Sequence, residues 1–129
     1  MEPRVLVIDD SPTIGSTVAW LLAGHGCVVE SARDGLTALS MIQRFQPDLL
    51  LLDIRLPNID GIELCGMIRG DRRFDNMPIV MLSALGSSDY QDRARQAGAN
   101  DFLVKPIEDV ALLQMVDYYL SQHSSRWAN

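Results

Sequence analysis

Asp48-Leu49-Leu50-Leu51-Leu52-Asp53 sets four consecutive leucines between two carboxylates in the middle of the chain. A strand with no polar residue on either face is covered on both sides, as strands are in the interior of a parallel sheet. Four residues are far too few to cross a membrane. The run therefore reads as a central strand, and Asp53 stands where that strand opens to solvent.

Working outward, the same grammar recurs. Val5-Leu6-Val7-Ile8 is a second buried strand, and it stops at Asp9-Asp10. Ser11-Pro12 then reads as a helix start, with Ser11 as N-cap and Pro12 in the first helical position. Ile14, Val18, Leu21 and Leu22 supply a helical apolar face, and Gly24 is the expected stop. Cys27 to Ser31 follows as a strand and Gly35 to Phe45 as a helix ended by Pro47. Beyond Asp53, the turn Leu56-Pro57-Asn58-Ile59-Asp60-Gly61 leads into a helix from about Ile62 to Arg69. Pro78 to Ser83 is the fourth strand, Ser88 to Ala97 a polar helix stopped by Gly98, and Asp101 to Val104 the fifth strand. It ends on Lys105-Pro106, and Glu108 to Gln122 forms the last helix.

Five strand–helix repeats with apolar strands predict an α/β fold, a doubly wound parallel sheet with helices on both faces. The 129 residues make one domain by length, expected over 1–122, with a short polar tail at 123–129. A net charge of −6 argues against a surface that grips nucleic acid. The N-terminus lacks the long apolar core and cleavage site of a signal peptide, so a cytoplasmic, membrane-free protein is expected. Cys27 and Cys65 are far apart, without a Cys-x-x-Cys partner, and read as small apolar fillers in a reducing compartment.

In sheets of this kind ligands sit outside the carboxyl ends of the strands. The polar residues at those ends are Asp9 and Asp10, Asp53, Ser83 and Lys105. Any one of them is ordinary, because acids that end strands are commonly turn formers or helix caps. Together, at one edge of one sheet, they are a site. Three close carboxylates repel and call for a cation, and all-oxygen ligation suits Mg²⁺ or Mn²⁺. That cation with Lys105 balances three acids and frees one as a nucleophile for a phosphoryl group. Asp53 is the candidate, because it ends the most thoroughly buried strand.

The ordered set Val5-Leu-Val-Ile-Asp-Asp10, Leu52-Asp53, Leu56-Pro-Asn-Ile-Asp-Gly61, Val80-Met-Leu-Ser-Ala84, Gly98-Ala-Asn-Asp-Phe102 and Val104-Lys-Pro106 resembles the receiver domain of two-component response regulators. The resemblance covers essentially the whole chain. It implies a flavodoxin-like, chemotaxis-regulator-like fold with strand order 2-1-3-4-5. It further implies Asp53 as phosphoacceptor, with Asp9, Asp10, Asp53 and the main-chain carbonyl of Arg55 holding Mg²⁺. Ser83 would be the switch hydroxyl, Lys105 the phosphoryl contact and Phe102 the switch aromatic. Lys105-Pro106 would be a cis peptide, and small Ala84 would keep the pocket open. The implied partners are a histidine kinase or histidine phosphotransfer protein and a downstream protein target bound through the fourth helix, fifth strand and fifth helix.

Three positions depart from the family pattern. Phe102 stands where Tyr is frequent, so its rotation would be driven by packing alone. Ile107 stands where Phe is frequent, a packing exchange. Arg55 either overhangs the pocket and steers water or points to solvent, and the sequence leaves both open.

The last helix is apolar on more than one stripe. Leu112, Leu113, Val116 and Leu120 can face the sheet, which leaves Met115, Tyr118 or Tyr119 over as a dimer or partner surface. Trp20 and Trp127 acquire no role. The leading function is a signalling receiver, free-standing or the N-terminal part of a longer regulator, that assists only its own phosphorylation and dephosphorylation. A Mg²⁺-dependent aspartyl-phosphate phosphatase is the alternative. A structural domain with a vestigial pocket is the third reading, disfavoured because every required group is present.

Overall fold

The computed structural model describes residues 2–84 and 88–123. Five strands, β1 (Arg4–Ile8), β2 (Val28–Ala32), β3 (Leu49–Asp53), β4 (Ile79–Ser83) and β5 (Asp101–Val104), alternate with helices α1 (Pro12–Ala23), α2 (Gly35–Phe45), α3 (Gly61–Arg69), α4 (Ser88–Gln96) and α5 (Asp109–His123). The strands form one parallel sheet in the order β2-β1-β3-β4-β5. The doubly wound α/β fold and its 2-1-3-4-5 order are as expected. Helix α5 runs through His123, one residue beyond the expected end of the last helix, and residues 124–129, Trp127 among them, lie outside the described residues.

The leucine run of β3 is divided by the pleat. Leu49 and Leu51 join Val5, Val7, Val80 and Leu82 in a core closed by Val18 and Leu22 of α1 and Leu112, Val116 and Tyr119 of α5. Leu50 and Leu52 join Leu6, Ile8, Ile79 and Met81 on the other face, under α2, α3 and Ala94 of α4. Side chains alternate between faces along a strand, so a run without polar residues is what two covered faces require. Continuous burial holds for β3 and β4, and for β1 beyond Arg4; the edge strands β2 and β5 are partly exposed, because each lacks a neighbour on one side.

Helix starts follow from caps. Ser11 Oγ accepts from Ile14 N at 3.4 Å with Pro12 behind it, while Asp34 and Asp60 accept from Thr37 N and Glu63 N at 2.8 Å. Gly24 caps α1 as expected, in an ordinary right-handed conformation, and the left-handed residue of that turn is Gly26, with φ of 90°. One expectation needs correction. Tyr119 is core, not surplus: it is 7% exposed and its hydroxyl donates to Asp101 Oδ2 at 2.8 Å and to the Asn100 carbonyl at 3.2 Å.

A short 3₁₀ turn at Arg72–Phe74 was not anticipated. It is tied down by Arg69, whose guanidinium donates to the carbonyls of Phe74 and Gly98 and to Asn100 Oδ1. Gly98 has φ of 110° and the Arg69 side chain lies directly against it, so this position has room and backbone freedom only for glycine. The Arg69 clamp fastens α3, the 3₁₀ turn and the entry to β5 at the amino edge of the sheet.

Candidate functional site

The opposite edge carries the acids. Asp9 follows directly on β1, Asp53 and Ser83 are the last residues of β3 and β4, and Lys105 follows β5. The register pairs Asp53 with Leu82 and Ser83 with Val104, so these chain ends finish at one level. Asp9, Asp53 and Ser83 are the buried polar side chains of the described residues, whereas Asp10 is exposed at the rim.

Ligand atoms of Asp9, Asp10 and Asp53 all lie within 4.8 Å of one another. Lys105 Nζ is 2.8 Å from Asp9 Oδ2 and donates to Asp53 Oδ2 at 3.1 Å. Main-chain amides hold the other oxygens: Ser11 N donates to Asp9 Oδ1 at 2.9 Å, and Arg55 N to Asp53 Oδ1 at 3.2 Å. Each carboxylate is thus aimed by the turn that follows its own strand.

The electrostatics are unbalanced. Burial first, and then the Asp9 charge, push the Asp53 carboxyl above its usual range; Lys105 and the Arg55 amide only partly offset them. Burial works against the Lys105 charge, but the nearby carboxylates of Asp9 and Asp53 outweigh this and hold the ammonium above its ordinary value. Three acids against one ammonium leave an excess of two negative charges. Asp9 Oδ2 is moreover a buried oxygen with no hydrogen-bond donor in proper geometry, the nearby ammonium being off-angle. A divalent cation with oxygen ligands fits both facts.

Two residues shape the pocket without having been singled out for it. Gly61 N donates to the Ile54 carbonyl at 2.6 Å, and a Cβ on Gly61 would overlap the Asp53 carbonyl. Only a glycine lets α3 begin this close beneath the acceptor strand. Asn58, with φ of 72°, turns the intervening loop, a conformation that asparagine tolerates better than most residues. The Asn58–Gly61 spacing in the turn was the available signal, although the reason for the glycine lies in the fold.

The other expected residues fall as follows. Lys105-Pro106 is a cis peptide. Phe102 is half-buried, paired in register with Met81 and packed on the α2–α3–α4 side of the sheet. Ala84 is exposed at the mouth. The Arg55 side chain is exposed and forms no ion pair among the described residues. A cleft of about 400 Å³ between Gln46, Pro47, Arg73 and Met77 lies at the amino edge, away from the acids.

A family model described as the response regulator receiver domain matches residues 5–117. This chain belongs to the response regulator receiver family. The receiver domain is 38% identical over 114 residues to the DNA-binding dual master transcriptional regulator RpaA of Synechocystis sp. strain PCC 6803, covering 88% of this chain and 47% of that protein. It is 40% identical to response regulator MprA of Mycobacterium tuberculosis, over 82% of this chain and 45% of that one. The chain spans about half the length of these two relatives. Among solved structures it resembles chemotaxis response regulator CheY4 of Vibrio cholerae, with a TM-score of 0.88, 31% identity, and coverage of 93% of this chain and 100% of that one. It is a signalling domain of two-component systems with the acidic pocket of its family. No helix of the described residues is long and apolar enough to cross a membrane.

Proposed function

We propose that Asp53 accepts a phosphoryl group from a histidine kinase or histidine phosphotransfer protein, and that Asp9, Asp10, Asp53 and the Arg55 carbonyl hold the Mg²⁺, or Mn²⁺, that the step needs. The observation that carries this is Asp53 itself. It is a carboxylate 4% exposed at the end of a fully buried strand, bonded to Lys105 and crowded by Asp9.

The bound cation would withdraw charge from the transferring oxygens and relieve the repulsion among the acids. An Asp53 oxygen attacks phosphorus; the new O–P bond forms as the P–N bond to the donor imidazole breaks, and the electron pair leaves with the imidazole. Lys105, already bonded to Asp53, moves onto the phosphoryl oxygens. The Arg55 amide keeps Asp53 aligned for attack. Reaction requires no substrate cleft of its own, since the donor protein brings the phosphoryl group, and catalysis by this chain is limited to its own phosphorylation and hydrolysis. The position two residues after Asp53 carries Arg55, so no acid stands there to protonate a leaving group as a phosphatase would need.

Ser83, 1% exposed at the end of β4, is the switch hydroxyl of this reading. Drawn toward the phosphoryl oxygens, it leaves space into which Phe102 turns, and the α4–β5–α5 surface is remodelled for a downstream protein. In this reading the receiver unit is residues 1–122 and it acts in the cytoplasm. Intact mass after incubation with acetyl phosphate and Mg²⁺ tests the central step: wild type gains one phosphoryl group and Asp53→Ala gains none. An unchanged wild-type mass defeats the proposal. Amide exchange near Phe102 that is unaltered by a phosphoryl mimic leaves Phe102 as a core aromatic only.

A further inference from the structure

Arg33 joins the end of β2 to the cap of α2, and its exposed guanidinium reaches across to the end of β1, where Nη2 donates to the Asp10 main-chain carbonyl at 3.4 Å. Asp34, the acid beside it in the chain, is taken by the α2 cap: its two oxygens accept from Thr37 N at 2.8 Å and from Thr37 Oγ1 at 3.0 Å. Among the described residues Arg33 forms no ion pair. A guanidinium without a carboxylate partner therefore stands against the backbone of Asp10, whose own carboxylate belongs to the acid cluster.

We propose that Arg33 sets how tightly the pocket holds its divalent cation, keeping the affinity several-fold below what the acids and Lys105 alone would give. This role rests on the reading of Asp9, Asp10 and Asp53 as the metal site. Asp10 fixes the separation of the two charges, since its carbonyl holds the guanidinium and its carboxylate holds the cation. Two short contacts and the length of one residue lie between them, about 10 Å at most. Like charges this close repel even through water, and a divalent ion is repelled twice as strongly as a monovalent one. At that distance the repulsion weakens binding about fourfold.

Arg55 carries the same charge beside the pocket, but only its main chain is engaged there, and no hydrogen bond or ion pair among the described residues fixes its guanidinium. Arg33 is the anchored charge. The consequence is regulatory: occupancy of the pocket responds to free Mg²⁺ over a higher concentration range than three acids would set.

Calorimetric titration of Mg²⁺ into the full chain, at an ionic strength of about 10 mM, tests this in a charge series. Arg33→Lys should keep the wild-type affinity within about twofold, Arg33→Gln should tighten it about fourfold and Arg33→Glu about fifteenfold. In about 0.5 M KCl these differences should shrink below about twofold, because the screening length falls to a few ångströms. Arg44→Gln removes a charge from the last turn of α2, about 15 Å farther along that helix, and should leave the affinity at the wild-type value. Affinity that ignores the charge at position 33, weakens in Arg33→Gln, keeps its charge order in high salt, or shifts equally in Arg44→Gln overturns the role of Arg33 alone. A wild-type chain that binds no Mg²⁺ overturns it together with the metal site beneath it.

Discussion

Lys105 Nζ lies 2.8 Å from Asp9 Oδ2 at an angle that makes no hydrogen bond, while it bonds properly to Asp53. One ammonium is thus shared unequally between two buried carboxylates. It neutralises Asp9 by proximity alone and leaves that oxygen open to a better ligand.

Lys105→Met should tighten Mg²⁺ binding about tenfold, since it removes a cation competing for the same oxygens. The same change should slow phosphorylation by acetyl phosphate at least about tenfold, because a charge that meets the phosphoryl oxygens is lost. Calorimetric titration and timed intact mass measure the two effects. Equal or weaker Mg²⁺ affinity contradicts the shared-ammonium description.

Asp53→Asn should stabilise the metal-free protein. Asp53 is raised by burial and by Asp9, and a carboxyl whose folded value exceeds its unfolded value stabilises the fold when protonated. That contribution is complete below the ordinary value of 3.8 and is lost as pH rises through the folded value, so ionised Asp53 is a liability at neutral pH. The expected gain is about 1 kcal/mol, or roughly 3–5 °C in Tm by thermal circular dichroism. Saturating Mg²⁺ should erase the advantage. A variant less stable than wild type in metal-free buffer would show that the repulsion is already compensated.

Gly61→Ala should cost about 2 kcal/mol or more, because the new methyl meets the Asp53 carbonyl, backbone that cannot step aside. Phosphorylation should slow as well, since the acceptor strand must shift. Gly66→Ala is the control: nothing lies within 4 Å of a Cβ there, and the gain in helix propensity favours the alanine. Equal melting of the two variants would contradict the packing described.

Tyr119 titrates late. Burial and then the bond to Asp101 push its phenol up to about 12 from an ordinary 10.0. The linked stability is fully present below pH 10 and lost as pH rises from 10 through 12. Absorbance at 295 nm should show this late step, and Tyr119→Phe should remove it while flattening stability over that window. A titration without the late step would place the phenol in water.

Much of the fold was legible because strand burial is written twice in the sequence. Leu49 to Leu52 has no polar face, and the pattern breaks at Asp53, which locates both the strand and the pocket edge. Asp9 and Lys105 were legible for the same reason, each ending an apolar run. Tyr119 was not. Helix α5 has more apolar residues than one stripe holds, and the choice among them was made by Asn100 and Asp101, acceptors on another element. The need for glycine at Gly61 was not legible either, since it arises from contact with a residue on a different element. The partial exposure of β2 and β5 likewise depends on edge position, which no local pattern records.

The Arg69 clamp has a consequence for acid conditions. Its three short bonds go to two main-chain carbonyls and a carboxamide, none of which takes up a proton as pH falls. The opposite edge is held by carboxylates that do. Acidification should therefore silence the receiver while its scaffold survives: the signal is lost reversibly, at one end of the sheet, before the protein is.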